Sequence, residues 1–113
     1  MGGIFSSSSS DEEIRNALQA PNRLVVDSRS VSEFRHGDGF SGAINIPVDS
    51  IESQISQLGT DKERYIITYC AAGVRAARAA GVIRSHGFLN VLSTTNANHL
   101  REIAEENVPS SGN

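Results

Sequence analysis

At 113 residues and 38% hydrophobic content, the chain is sized for one compact α/β domain, with no room for a second core. A formal net charge of -3 and a pI near 5.5 argue against a broad electrostatic footprint for nucleic acid or acidic lipid, so no nucleic-acid partner is expected and any anion binding should be local. One cysteine allows neither an internal disulfide nor a C-x-x-C redox pair, and a reactive thiol suits a reducing interior, so cytoplasm or an organelle matrix is the expected compartment.

Residues 1–9 read as a flexible serine-rich leader, residues 10–108 as a single domain and 109–113 as a flexible tail. Met1-Gly2-Gly3-Ile4-Phe5-Ser6 matches the short N-myristoylation pattern, with Gly2 as acceptor, but one acyl chain beside Asp11, Glu12 and Glu13 would hold a membrane only marginally. No stretch approaches the roughly 20 apolar residues that span a bilayer, and no stable membrane association is expected.

Helix and strand patterns then alternate. Ser10-Asp11-Glu12-Glu13 offers a capping box for a first helix through Leu18, stopped near Pro21. Leu24-Val25-Val26 is a short buried strand ending at Asp27, and Ser30 to Arg35 is a helical turn before a loop marked by Gly37, Gly39 and Gly42. Ala43 to Ile46 suits a brief strand. Asp49 is placed to cap an amphipathic helix in which Ile51, Ile55 and Leu58 share a face and Gly59 ends the run. A strand from Tyr65 to Tyr69, a helix from about Val74 to His86, a strand at Asn90-Val91-Leu92 and a helix from Asn98 to Asn107 complete the order. Strands separated by helices imply a mainly parallel central sheet with helices on both faces, and such sheets bind ligands at the carboxyl ends of their strands, where Asp27 and Cys70 fall.

Cys70 stands where the strand gives way to Ala71-Ala72-Gly73-Val74-Arg75 and a helix start. A thiol there faces free backbone N–H groups and the positive end of a helix dipole, which favour the thiolate and bind anions. A lone cysteine in an apolar strand is ordinarily an inert small hydrophobe; the loop makes this one the candidate nucleophile. Arg75 places a cation in a first helical turn, where acidic residues are the usual choice, and Arg78 follows one turn later. His36, His86 and His99 have no metal-ligand spacing, so no metal or other cofactor is expected.

Cys70-Ala71-Ala72-Gly73-Val74-Arg75 resembles the C-x-x-G-x-R active-site loop of single-domain rhodaneses. Asp27-Ser28-Arg29, then Glu33-Phe34, then Gly42-Ala43-Ile44-Asn45-Ile46-Pro47, resemble that family's other motifs in the same order, over roughly Leu24 to Leu92. The resemblance implies a rhodanese-like fold and a sulfurtransferase. Cys70 would take sulfane sulfur from thiosulfate or a persulfide carrier, a protein persulfide included, and pass it to a thiol or to cyanide. Ala71, Ala72, Gly73, Val74 and Arg75 would cradle the sulfur anion, and Asp27 and Arg29 would brace the surrounding loops.

Two alternatives stay open: a rhodanese-like module that senses redox state or binds a partner without turnover, and a small phosphatase or arsenate reductase. The four residues between Cys70 and Arg75 weigh against the latter, because the related oxyanion enzymes use a five-residue ring. Ala71 and Ala72 stand where thiosulfate-preferring members often carry basic side chains. Gly39 stands where the family usually has a histidine, which predicts a looser loop there.

Overall fold

The computed structural model describes residues 9–106; the readings made on Gly2, on the first eight leader residues and on the tail lie outside the described residues. Four strands, β1 (Leu24–Asp27), β2 (Ile44–Asn45), β3 (Tyr65–Cys70) and β4 (Asn90–Asn96), form one parallel sheet in the order β2-β1-β3-β4. Helices α1 (Asp11–Leu18), α2 (Val31–Phe34), α3 (Val74–Ser85) and α4 (Ala97–Glu106) complete the α/β architecture expected of the sequence.

Alternation along the strands fills two cores. Val26, Ile66 and Val91 face Ala79, Ala80, Ile83 and Phe88 on one side, while Val25, Ile67 and Tyr69 face Ile14, Ala17, Leu100 and Ile103 on the other. Helix α1 begins as expected: Ser10 Oγ accepts from the Glu13 N–H at 3.1 Å, and Glu13 Oε1 accepts from the Ser10 N–H at 2.9 Å. A cap of this kind contributes about 1 kcal/mol. Ser30 and Glu33 repeat the device at the start of α2.

Between β2 and β3 the expected amphipathic helix is absent. Two short 3-10 segments, Val48–Ser50 and Ile55–Leu58, occupy the stretch, and Asp49 lies inside the first instead of capping a helix. Ser50, Ser53 and Ser56 interrupt the run, and Ser53 Oγ donates to the Ser50 carbonyl at 3.2 Å, the local competition that makes serine a poor helix interior. The spacing nevertheless identified the buried face, since Ile51 and Leu58 are fully buried.

Strand β4 runs four residues past the expected Leu92, through the β-branched Thr94 and Thr95. Its pairing with β3 slips between Thr68 and Cys70, so that Asn96 stands opposite Cys70. Asn96 ends the strand and starts the next helix, its Oδ1 accepting from the His99 N–H at 2.8 Å.

His99 Nε2 lies 2.8 Å from Asp11 Oδ1 and its Nδ1 lies 3.6 Å from Glu102, tying α4 to α1. Asp11 first, then Glu102, hold its pKa above the ordinary histidine value, against a smaller opposing effect of burial. A raised folded-state pKa contributes stability that is fully present below the unfolded value of about 6.5 and is lost as pH rises through the folded value. Thermal midpoints should therefore fall as pH rises past about 6.5, and His99→Gln should flatten that part of the profile. An unchanged slope in the variant would remove His99 as its source.

Candidate active site

The parallel register sets Asp27 beside Tyr69, which brings Cys70 and the Asp27-Ser28-Arg29 turn together at the carboxyl edge of the sheet. Beyond Cys70 the chain turns through Gly73, whose φ of +105° is the left-handed region that costs glycine little, and enters α3 at Val74. This turn points backbone N–H groups inward: those of Gly73 and Ala76 donate to Cys70 Sγ at 3.0 and 3.3 Å.

The thiol is only 2% exposed. Burial pushes its pKa up, but hydrogen bonds from the Ala76, Gly73, Ala72 and Arg75 backbones outweigh it, and the thiol is more acidic than an ordinary cysteine. The side chains of Ala71, Ala72 and Val74 are exposed, Val74 at 72%. These residues therefore shape the rim with small or apolar groups while the backbone lines the cradle.

The Arg75 side chain lies within reach of both Cys70 and Glu33, and its larger interaction is with Glu33. Its guanidinium grips Glu33 through two bonds of 2.7 and 3.1 Å, joining the first turns of α2 and α3. Arg75, followed by the Ser30 backbone, holds the Glu33 carboxyl down to about 2. Much of the Arg75 charge is thus taken up by Glu33, and what reaches Cys70 adds to the backbone hydrogen bonds that hold the sulfur. Arg78 pairs with Asp49 at 3.3 Å on the exposed surface, where such pairs contribute little.

Asp27 and Arg29 are paired with each other. Asp27 is fully buried and receives the Arg29 Nε at 3.1 Å, the Arg29 NH2 at 2.8 Å and the Arg29 backbone N–H at 2.9 Å. The Tyr69 hydroxyl donates to Asp27 Oδ2 at 2.9 Å and accepts from the Phe40 N–H at 2.8 Å. Burial first, then the bond to Asp27, push the Tyr69 hydroxyl up to about 12 against the opposing Phe40 N–H, so it stays a donor at neutral pH. Arg29 NH1 continues the network to Asp38 at 3.2 Å.

Gly39 is part of this network, and the loop around it is not loose. A Cβ there would come within 2.8 Å of the Tyr69 hydroxyl and 3.4 Å of both Arg29 NH2 and Asp27 Oδ2. All three atoms are locked by the bonds just described, so Gly39→Ala should cost about 1–3 kcal/mol in chemical denaturation, typical of overpacking. A loss below about 0.5 kcal/mol would mean that the loop yields more easily than its bonds imply.

A cavity of about 300 Å³ opens beside Cys70, lined by Arg29, Asp38, Ala71, Asn96, Ala97, Asn98, Arg101 and the cysteine itself. Sequence reasoning found Cys70, Ala71 and Arg29 but missed Tyr69, Asp38, Asn96 and Arg101. Tyr69 precedes the candidate nucleophile on a strand, which puts it on the opposite sheet face, a signal that was available. The other three meet the site only through long-range folding, as in the bond from Arg101 NH1 to the Gly39 carbonyl at 3.0 Å.

With the sheet order and the cysteine loop established, the class is settled: residues 10–96 match the rhodanese-like domain family, and the chain belongs to it. Its sequence relatives include two proteins named tRNA uridine(34) hydroxylase. The one from Hamiltonella defensa is 34% identical over 83 residues, covering 70% of this chain and 23% of its own; that from Buchnera aphidicola is 36% identical over 86 residues, covering 73% and 27%. The chain thus spans about a quarter of the length of these relatives. Among solved structures, a human single domain sulfurtransferase superimposes with a TM-score of 0.63 at 26% identity, covering 91% of this chain and 99% of that one.

These findings correct the functional expectation. The closer sequence likeness, at 34–36% identity, is to enzymes named for a tRNA uridine and not to a thiosulfate or cyanide sulfurtransferase. The exclusion of a nucleic-acid partner falls with it. Net charge bounds non-specific contact with phosphates, but it says nothing about reading a single base by hydrogen bonds. Among the described residues no helix is long and apolar enough to cross a membrane.

Proposed function

We propose that this chain is a tRNA-directed rhodanese-like enzyme in which Cys70 serves the hydroxylation of uridine 34, alone or as one part of a larger protein. The likeness to proteins named for that reaction supports the substrate. The observation that carries the chemistry is the buried Cys70 Sγ, held by two backbone N–H groups at the wall of a cavity.

Hydroxylation replaces a ring C–H by C–OH, a two-electron oxidation whose oxygen comes from a peroxide, or from dioxygen together with two electrons from a reductant. A thiolate suits the electron-poor uracil ring. Its addition to one carbon makes the neighbouring carbon nucleophilic toward a peroxide oxygen, which transfers as the O–O bond breaks and hydroxide or alkoxide departs. Loss of the ring proton and expulsion of the thiolate then restore the double bond and the free cysteine, the two-step logic of nucleophilic catalysis. The N–H groups of Gly73 and Ala76 stabilise the thiolate at both ends of that cycle.

The test is mass spectrometry of nucleosides from tRNA incubated with the full chain and peroxide, and separately with the full chain in air with a thiol reductant. One added oxygen confined to uridine 34 is the expected result. No oxygenated product under either condition, together with no affinity for tRNA, would overturn the proposal.

A further inference from the structure

The cavity beside Cys70 carries more information than its volume. At about 300 Å³ it is at the small end of ligand pockets and fits a single extruded base, not a paired one. Ala71 and Ala97 present only methyl groups to it, leaving flat approach room beside the cysteine.

Its polar lining is oriented by hydrogen bonds, although the Asp38 side chain is largely exposed. Asn96 has its Oδ1 committed to the His99 N–H, which leaves the Nδ2 group as a pure donor. Asp38 has one carboxylate oxygen held by Arg29 NH1, so its other oxygen remains an acceptor. Arg101 is anchored through NH1 to the Asp38 and Gly39 carbonyls at 3.3 and 3.0 Å and through NH2 to Asn98, and retains further N–H donors. The cavity therefore offers a donor from Asn96, an acceptor from Asp38 and a donor from Arg101. A free anion is a poor match, because Asp38 faces the same space and Arg29 is already neutralised by Asp27 and Asp38.

The imide edge of uracil is the complement: a carbonyl acceptor, the N3–H donor and a second carbonyl acceptor. Cytosine presents an unprotonated N3 in the middle position, which would set a lone pair against the Asp38 carboxylate. Resting on the reading that the chain acts on tRNA, we propose that this cavity receives one extruded uracil and selects it against cytosine through Asn96, Asp38 and Arg101. Arg29 acts as a positioning residue, holding Asp38.

The experiment compares two anticodon stem-loop RNAs that differ only by U or C at position 34, binding to the full chain and followed by fluorescence anisotropy. The wild type should bind the U34 loop about tenfold more tightly than the C34 loop. Asp38→Asn presents an amide that can donate or accept, and should shrink that ratio to within about twofold. Asn96→Asp keeps the acceptor for the His99 N–H but removes the donor, and should weaken the U34 loop about tenfold. Thermal unfolding of both variants confirms that the fold is retained.

Equal wild-type affinity for the two loops overturns the base-reading inference while leaving the tRNA reading intact. A preference that survives in both variants overturns the assignment to these residues. Failure of both loops to bind overturns both readings together.

Discussion

Cys70→Ala is expected to lower the rate of oxygen gain at uridine 34 by on the order of a thousandfold or more, because removing the nucleophile of a covalent mechanism eliminates the intermediate and not merely its stabilisation. The substitution deletes one sulfur atom at the edge of the core, so circular dichroism and the unfolding midpoint should move little. Affinity for the anticodon stem-loop should also persist, since the proposed contacts to the base come from Asn96, Asp38 and Arg101. Residual turnover within about tenfold of wild type would remove Cys70 from the chemistry.

The largest stability effect should come from Asp27→Ala. Asp27 is fully buried and Arg29 is 8% exposed, with the guanidinium fitted to the carboxylate through Nε and NH2. Removing the carboxylate leaves the buried guanidinium with the exposed Asp38 as its only acidic partner among the described residues and deprives the Tyr69 hydroxyl of its acceptor, a loss of about 3–5 kcal/mol for breaking one partner of a buried pair. Asp27→Asn keeps the shape and one acceptor oxygen and should cost less. Chemical denaturation of both variants measures the difference, and a loss below about 1 kcal/mol for the alanine variant would show that Arg29 finds another partner or water.

The parts of the fold governed by local chemistry were legible in the sequence. Ser10 and Glu13 marked the start of α1, and strand, loop and helix around Cys70 fell where the apolar run, Gly73 and the alanine-rich stretch placed them. The helix expected after Asp49 failed because the apolar spacing there reports a buried face, which two 3-10 turns satisfy as well as an α-helix does. The extension of β4 to Asn96 was hidden by a polar run, Ser93-Thr94-Thr95, that reads as loop until its pairing with β3 is known.

Site contacts were less legible, because they cross the sheet. The grip of Arg75 on Glu33 and the bond from Tyr69 to Asp27 each join residues 42 positions apart. Only the order β2-β1-β3-β4 brings these pairs together. The proposed substrate was hidden for a different reason: the Cys70 loop encodes a stabilised thiolate, and that chemistry is shared by reactions on very different molecules. The groups proposed to choose among them, Asp38, Asn96 and Arg101, lie outside the motifs that carried the family resemblance.

An acidic thiol facing a tRNA base is the centre of the proposed function, and the alkylation rate of Cys70 against pH, measured with and without an anticodon stem-loop carrying U34, tests both halves at once. The backbone hydrogen bonds from Ala76 and Gly73 predict a midpoint below that of an ordinary cysteine, and the cavity predicts that the U34 loop slows alkylation across the profile. An ordinary cysteine midpoint together with an alkylation rate indifferent to the RNA would contradict it.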